Sequence, residues 1–135
     1  MADLDVWMYA SRSCLTETID SAIDGIVCSS RLRNAENHVT GMLLFTGSRF
    51  VQFVEGPAAA VKNLRASIIA DPRHDDLCQL VPEPSPERRF AGWSLGYSGP
   101  SRYVQSAVDQ AIIASDQRRF GKTADLLRLM IEFAS

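Results

Sequence analysis

Cysteine is scarce and scattered. Cys14, Cys28 and Cys78 show no CxxC spacing, and any pairing would leave one thiol over. That excludes a disulfide framework and points to free thiols in a reducing compartment. The two histidines, His38 and His74, are not at ligand spacing, and there is no HExxH, GxSxG or P-loop. Zinc-assisted hydrolysis, serine acyl transfer and phosphate cradling therefore lack their usual residues. No apolar run approaches the ~20 residues of a membrane span. The start, Met-Ala-Asp-Leu-Asp, lacks the basic residues that open a secretory signal. An excess of one charge is missing too: 14 Lys and Arg against 16 Asp and Glu give −2, which argues against binding nucleic acid through phosphates. No internal repeat, low-complexity segment or long linker interrupts the 135 residues, enough for one domain with a real core. The expectation is a cytoplasmic protein with no metal, membrane or nucleic-acid partner.

What is present centres on Arg49-Phe50-Val51-Gln52-Phe53-Val54-Glu55-Gly56. Aromatic and β-branched residues after a Thr46-Gly47-Ser48 turn read as a strand. Alternation puts Phe50, Gln52 and Val54 on one face and Val51 and Phe53 on the other. Both faces are apolar, so the strand belongs in the middle of a covered sheet. Gln52 is the polar exception, and a buried amide costs a few kcal/mol unless partnered.

The rest of the chain builds around it. Leu4 to Ser11 reads as a first strand, with Val6 and Met8 on one side and Trp7, Tyr9 and Ser11 on the other. From Thr16 to Arg31 the period is helical, with Ile19, Ala22, Ile23, Ile26 and Val27 inward and the helix dissolving from Arg33 onward. Cys28, on the inner side of that helix, is expected in the core. His38 to Phe45 forms a hairpin with the central strand. A second helix begins at Gly56-Pro57, turns Val61, Leu64, Ile68 and Ile69 inward and stops at Asp71-Pro72. Leu77 to Val81 and Phe90 to Tyr97 read as two more strands, and Gly99-Pro100 closes this core. The order β-α-β-β-α-β-β is α+β, the ferredoxin-like split βαβ arrangement with both helices on one face. Two tail helices, Tyr103 to Ala114 and Lys122 onward, should cover the other face. The last one carries two apolar rows, Leu126, Met130 and Phe133 beside Leu127, Ile131 and Ala134. One row more than a monomer needs suggests self-association, a dimer or larger.

In such a sheet the first strand pairs with the third, so Tyr9 and Gln52 become neighbours. Ser30-Arg31-Leu32-Arg33-Asn34 and Asp71-Pro72-Arg73-His74 follow helices on that same face. A planar ligand with a phosphate-bearing tail would slot between the helices. Arg73 suits phosphate oxygens, Asn34 and Gln52 suit ring carbonyls and N–H groups, and helix residues such as Ile26 suit the apolar ring.

These segments, with Val39-Thr40-Gly41, Phe50 to Pro57 and Phe90-Ala91-Gly92-Trp93-Ser94-Leu95, are similar in register to the BLUF domains, blue-light sensors that use FAD. The resemblance covers residues 4 to 98. It implies a flavin-binding domain over 1–98 and a helical extension over 99–135, as in short stand-alone members. It implies FAD between the two helices, Tyr9 and Gln52 as the photoactive pair, and Ser30, Asn34, Ile26, Asp71, Arg73 and His74 along the flavin. Trp93 and Leu95 match the signal relay. In such proteins an electron and a proton leave the tyrosine in light and return, leaving the glutamine amide rotated or tautomerised, and no substrate is turned over. The downstream partner is an unidentified protein. Leu95 departs from the usual Met, Arg33 from a polar uncharged residue and His38 from a usual Gly. Two other readings use the same scaffold: a flavin-free interaction module, and a small acyl-phosphate hydrolase.

Overall fold

The computed structural model describes residues 4–15, 19–98, 102–117 and 121–133. The expected helix start at Thr16, the Gly99-Pro100 closure and Ala134 lie outside the described residues. In chain order the elements are β1 (Leu4–Ser13), α1 (Ile19–Glu36), β2 (Thr40–Phe45), β3 (Arg49–Pro57), α2 (Ala58–Ile69), β4 (His74–Leu80), β5 (Gly96–Ser98), α3 (Arg102–Asp116) and α4 (Gly121–Phe133). The five strands form one sheet in the order β4-β1-β3-β2-β5, antiparallel except for the β2–β5 pair. The fold is α+β and ferredoxin-like, as expected.

Strand alternation sorts the core into two layers. Met8 and Ala10 of β1, Met42 and Leu44 of β2, and Val51 and Phe53 of β3 join Val104, Val108 and Ala111 of α3 and Leu126, Leu127 and Met130 of α4. On the other face Trp7, Tyr9 and Val54 pack with Val61 and Leu64 of α2, while Leu43, Phe45 and Phe50 pack with Ile23 and Val27 of α1. The two helix pairs thus cover opposite faces, and β3 is buried between them. The described part of the two apolar rows of α4 is only partly covered within the chain. Leu126, Leu127 and Met130 share one buried cluster with Ile131 against it, leaving Phe133 exposed.

Several boundaries move, each for a local reason. Helix α1 does not dissolve at Arg33 but runs on to Glu36. Asn37 then donates from its side chain to the Arg33 carbonyl at 2.8 Å, and His38 adopts φ 58°, the left-handed conformation that ends many helices. That explains why glycine suits this position better than histidine. Asn34 is thereby held on a helix, not in a loop. Cys28 and Ile69 turn outward instead of joining the core. β4 begins at His74 and ends at Leu80, not spanning Leu77 to Val81. The expected strand over Phe90 to Tyr97 shrinks to Gly96–Ser98, because the Trp93 N–H closes a turn onto the Phe90 carbonyl and Gly92 sits at φ 86°.

One buried charge organises that irregular segment. Glu55, fully buried on β3, accepts the N–H groups of Arg89 and Phe90 at 2.8 and 2.7 Å and the Thr40 hydroxyl at 2.9 Å. It pins the β4–β5 connection to the sheet and holds Phe90 against Phe53, ring centroids 5.3 Å apart. Glu55→Ala would orphan the buried Phe90 N–H and the half-buried Arg89 N–H, and an unsatisfied buried donor costs about 1–3 kcal/mol. We expect that variant to lose more than about 2 kcal/mol in urea unfolding; a loss within experimental error would remove this role.

Candidate functional site

Between α1 and α2, over the centre of the sheet, lies a cleft that opens to solvent. Its walls come from six elements: Tyr9 from β1, Ile26, Ser30, Arg33 and Asn34 from α1, Leu43 from β2, Gln52 and Phe50 from β3, Leu64 and Ile68 from α2, and Asp71, Arg73 and His74 at the entry to β4. All eight residues expected to be photoactive or to contact the cofactor are gathered here. Arg33, Phe50, Leu64 and Ile68 were not expected as site residues, nor was Leu43, which also lines the cleft. For Phe50 the signal was available, since it shares a strand face with Gln52.

Tyr9 and Gln52 are direct partners in the β1–β3 register. Their side chains meet at 2.6 Å, the phenol donating to Gln52 Oε1. The Gln52 NH2 is left without a partner among the described residues, and Gln52 lines the cleft. A phenol can donate to a carbonyl or accept from an NH2, so this contact tolerates either amide orientation. The wall of the cleft changes between donor and acceptor as the amide turns.

Burial pushes the Tyr9 hydroxyl well above its ordinary range, and the Asp71 carboxylate adds to the effect. Hydrogen bonds from the Arg73 guanidinium hold Asp71 below the usual carboxylate range, with the Arg73 backbone N–H contributing as well. His74 Nε2 lies 2.6 Å from the Ile68 carbonyl, which can only accept, so this nitrogen carries a proton. Its Nδ1 meets the Ser11 hydroxyl at 2.6 Å. These bonds fix the ring where it packs edge-on to Tyr9 and Phe50.

The Asn34 NH2 donates to the Ser94 carbonyl at 2.8 Å, and Arg31 Nε donates to the Leu95 carbonyl at 2.8 Å. The segment before β5 is therefore tied to α1 by its backbone. Leu95 itself is buried under α1 with Leu43, Phe45 and Phe50, on the cleft side of the sheet and not the α3–α4 side. Trp93 stands 42 % exposed, outside the cleft. It is the other tryptophan, Trp7, that stacks on Tyr9, at 4.6 Å between ring centroids.

A tyrosine–glutamine pair at the floor of a cleft walled by Asn34 and Asp71-Pro72-Arg73-His74 is found where a sequence family provides it. The family model described as BLUF, sensors of blue-light using FAD, matches residues 4–96. The chain belongs to the BLUF family. Over 103 residues it is 34% identical to the blue light- and temperature-regulated antirepressor BluF of Escherichia coli, covering 76% of this chain and 26% of that protein. Over 74 residues it is 39% identical to the photoactivated adenylate cyclase subunit beta of Euglena longa, covering 54% of this chain and 9% of that one. The chain thus spans about a quarter or less of these curated relatives. The dark-state structure of BlrB, a BLUF protein, superposes with TM-score 0.75 at 32% identity, covering 94% of this chain and 96% of that one.

As a BLUF domain the chain is a blue-light photoreceptor whose cofactor is FAD; neither a flavin-free module nor a hydrolase has comparable support. The cleft suits that group. Gln52 NH2 and the Ser30 hydroxyl lack partners among the described residues and Asn34 keeps its carbonyl oxygen uncommitted, so donors and acceptors remain available that a planar heterocycle would need. Leu43, Phe50, Leu64 and Ile68 supply apolar contact. No helix among the described residues is long and apolar enough to cross a membrane.

The raised Tyr9 value has a sign that can be checked. The unfolded chain ionises this tyrosine near pH 10 while the folded chain keeps it neutral. The stability it contributes is present below about pH 10 and declines as pH rises above it. We expect the parent to lose stability relative to Tyr9→Phe as pH passes about 10 in urea titrations. A difference that stays constant with pH would contradict it.

Proposed function

We propose that the chain converts blue-light absorption into a reversal of the Tyr9–Gln52 hydrogen bond and passes the change to a partner protein as a conformational signal, turning over no substrate. The observation that carries this reading is the 2.6 Å tyrosine–amide contact whose other amide end faces the cleft. FAD, when bound, supplies blue absorption and, once excited, an acceptor for one electron. Asn34 and Ser30 would hold its hydrogen-bonding edge, Ile26 its apolar face, and Asp71, Arg73 and His74 the end near β4.

Tyr9 gives up its electron and proton together, because burial makes a free phenolate costly and Gln52 Oε1 is in line to take the proton. Their return leaves the amide able to settle with its donor and acceptor ends exchanged. The segment over residues 90–98 offers the way out. Its carbonyls at Ser94 and Leu95 are held by Asn34 and Arg31 beside the cleft, while Phe90 packs in the α3–α4 cluster. Trp93 and Leu95 therefore act through backbone displacement and packing, and residues 99–135 serve as the receiving extension. Self-association through that extension rests on exposed Ile113 and Phe133. Light scattering should show at least a dimer at micromolar concentration, and a single-chain mass would remove that part.

The test uses the chain loaded with FAD. Blue light should give a small reversible red shift of the flavin absorption and altered amide exchange over residues 90–98, α3 and α4. Gln52→Leu should keep the flavin and lose both. A parent-like shift in Gln52→Leu would overturn the reading.

A further inference from the structure

Trp7 and Tyr9 are neighbours on one face of β1, and their rings stack at 4.6 Å with planes 29° apart. Trp7 does not line the cleft, so the order from the cleft outward is Tyr9, Trp7 and then the solvent-exposed Arg65 of α2. Arg65 places its guanidinium carbon 5.6 Å from the Trp7 ring centroid, over the ring, and also donates to Gln79 Oε1 at 3.3 Å. The Trp7 indole N–H is buried with no hydrogen-bond partner. Indole is an electron donor at least as ready as phenol. A tryptophan stacked on the tyrosine that loses an electron is therefore a competitor: it can refill Tyr9 and take the oxidation onto itself.

The two rings have opposite surroundings. Tyr9 has a proton acceptor at 2.6 Å in Gln52 and a carboxylate, Asp71, on the same cleft wall. Trp7 has neither. With no acceptor for its N–H it can be oxidised only to a cation, and that cation would form directly beneath the positive guanidinium of Arg65, 5.6 Å from the ring centroid, like charge against like. Each difference keeps the electron vacancy on Tyr9.

We propose that Arg65 is a positioning residue for the photochemistry, acting through Trp7: its charge over the indole keeps Trp7 from donating to Tyr9. The proposal rests on the photosensor reading above. The step it prevents is a one-electron transfer. In the productive step Tyr9 would lose one electron to the bound, excited FAD while its proton moved along the 2.6 Å bond toward Gln52 Oε1. If Trp7 then gave one electron to Tyr9 and the proton came back, Tyr9 would be restored as the neutral phenol and Trp7 left as a radical cation. Gln52 would have lost the partner whose changed state drives its turn. The electron later returns to Trp7, and the cycle ends unproductively.

The experiment compares four forms of the full chain with FAD: the parent, Arg65→Lys, Arg65→Met, and Arg65→Met with Trp7→Phe, the last of which assigns any tryptophanyl signal to Trp7. Transient absorption reads the tryptophanyl radical, and steady illumination reads the yield of the red-shifted form. Near-ultraviolet circular dichroism of the flavin-free proteins reports whether the Trp7–Tyr9 stack survives Arg65→Met. Expected are no tryptophanyl signal and full yield in the parent and Arg65→Lys, a tryptophanyl signal with a several-fold lower yield in Arg65→Met, and recovery of yield on adding Trp7→Phe. A parent-like Arg65→Met with the stack intact would overturn the proposal, and so would a lost stack in that variant or a low yield that Trp7→Phe fails to rescue. A parent with flavin and no red shift would instead sink the photosensor reading itself, and this proposal with it.

Discussion

The hydrogen-bonded register between β1 and β3 is the constraint on which the rest depends. It sets Tyr9 opposite Gln52. Because side chains alternate, a one-residue slip would send one of the two to the far side of the sheet. The slip is resisted on both faces at once. Met8 and Ala10 belong to the α3–α4 layer, Trp7 and Tyr9 to the α2 layer, and Val51 and Phe53 must match the first set while Val54 matches the second. The precise 2.6 Å contact is thus a by-product of a sheet buried on both sides, not of anything local to the pair.

The same double burial separates the cleft from the tail helices. They lie on opposite faces of the sheet, so the proposed signal from Gln52 would have to go through the sheet or round its edge. One stretch of backbone runs round that edge. Residues 88–95 are gripped by Glu55 at one end and by Arg31 and Asn34 at the other, with the Trp93 carbonyl accepting from Gly41 in between at 3.0 Å. A segment tied through backbone carbonyls moves with whatever holds them, irrespective of its side chains. That makes leucine at position 95 less of an obstacle than its lack of a thioether suggests.

Much of this was legible in the sequence because it rests on periodicity. Alternation in Phe50 to Val54 gave the central strand and its two faces, helical spacing put Ile26 on the inner stripe of α1, and strand order brought Tyr9 to Gln52. The misreadings fall where a single backbone feature overrides pattern. The left-handed His38 and the Asn37 side chain extend α1 beyond a polar stretch that reads as loop. A turn at Phe90–Trp93 interrupts a run that reads as strand. Cys28 was placed inward beside Val27, but Ile23, Val27 and Ser30 hold the buried face of α1 and leave Cys28 outside it. Trp7 was read on the face it shares with Tyr9, but the roles of Glu55 and Trp7 were not legible, since each comes from what packs on it: loop amides on the first, an arginine on the second.

The central claim is that the Gln52 amide is the group that changes in light. Light-minus-dark infrared difference spectra of the FAD-loaded chain, with glutamine isotopically labelled at the side-chain amide, test it most directly. The account predicts a light-induced amide carbonyl band that moves with the label and is absent in Gln52→Leu. Light-induced bands that are all insensitive to the glutamine label would contradict it.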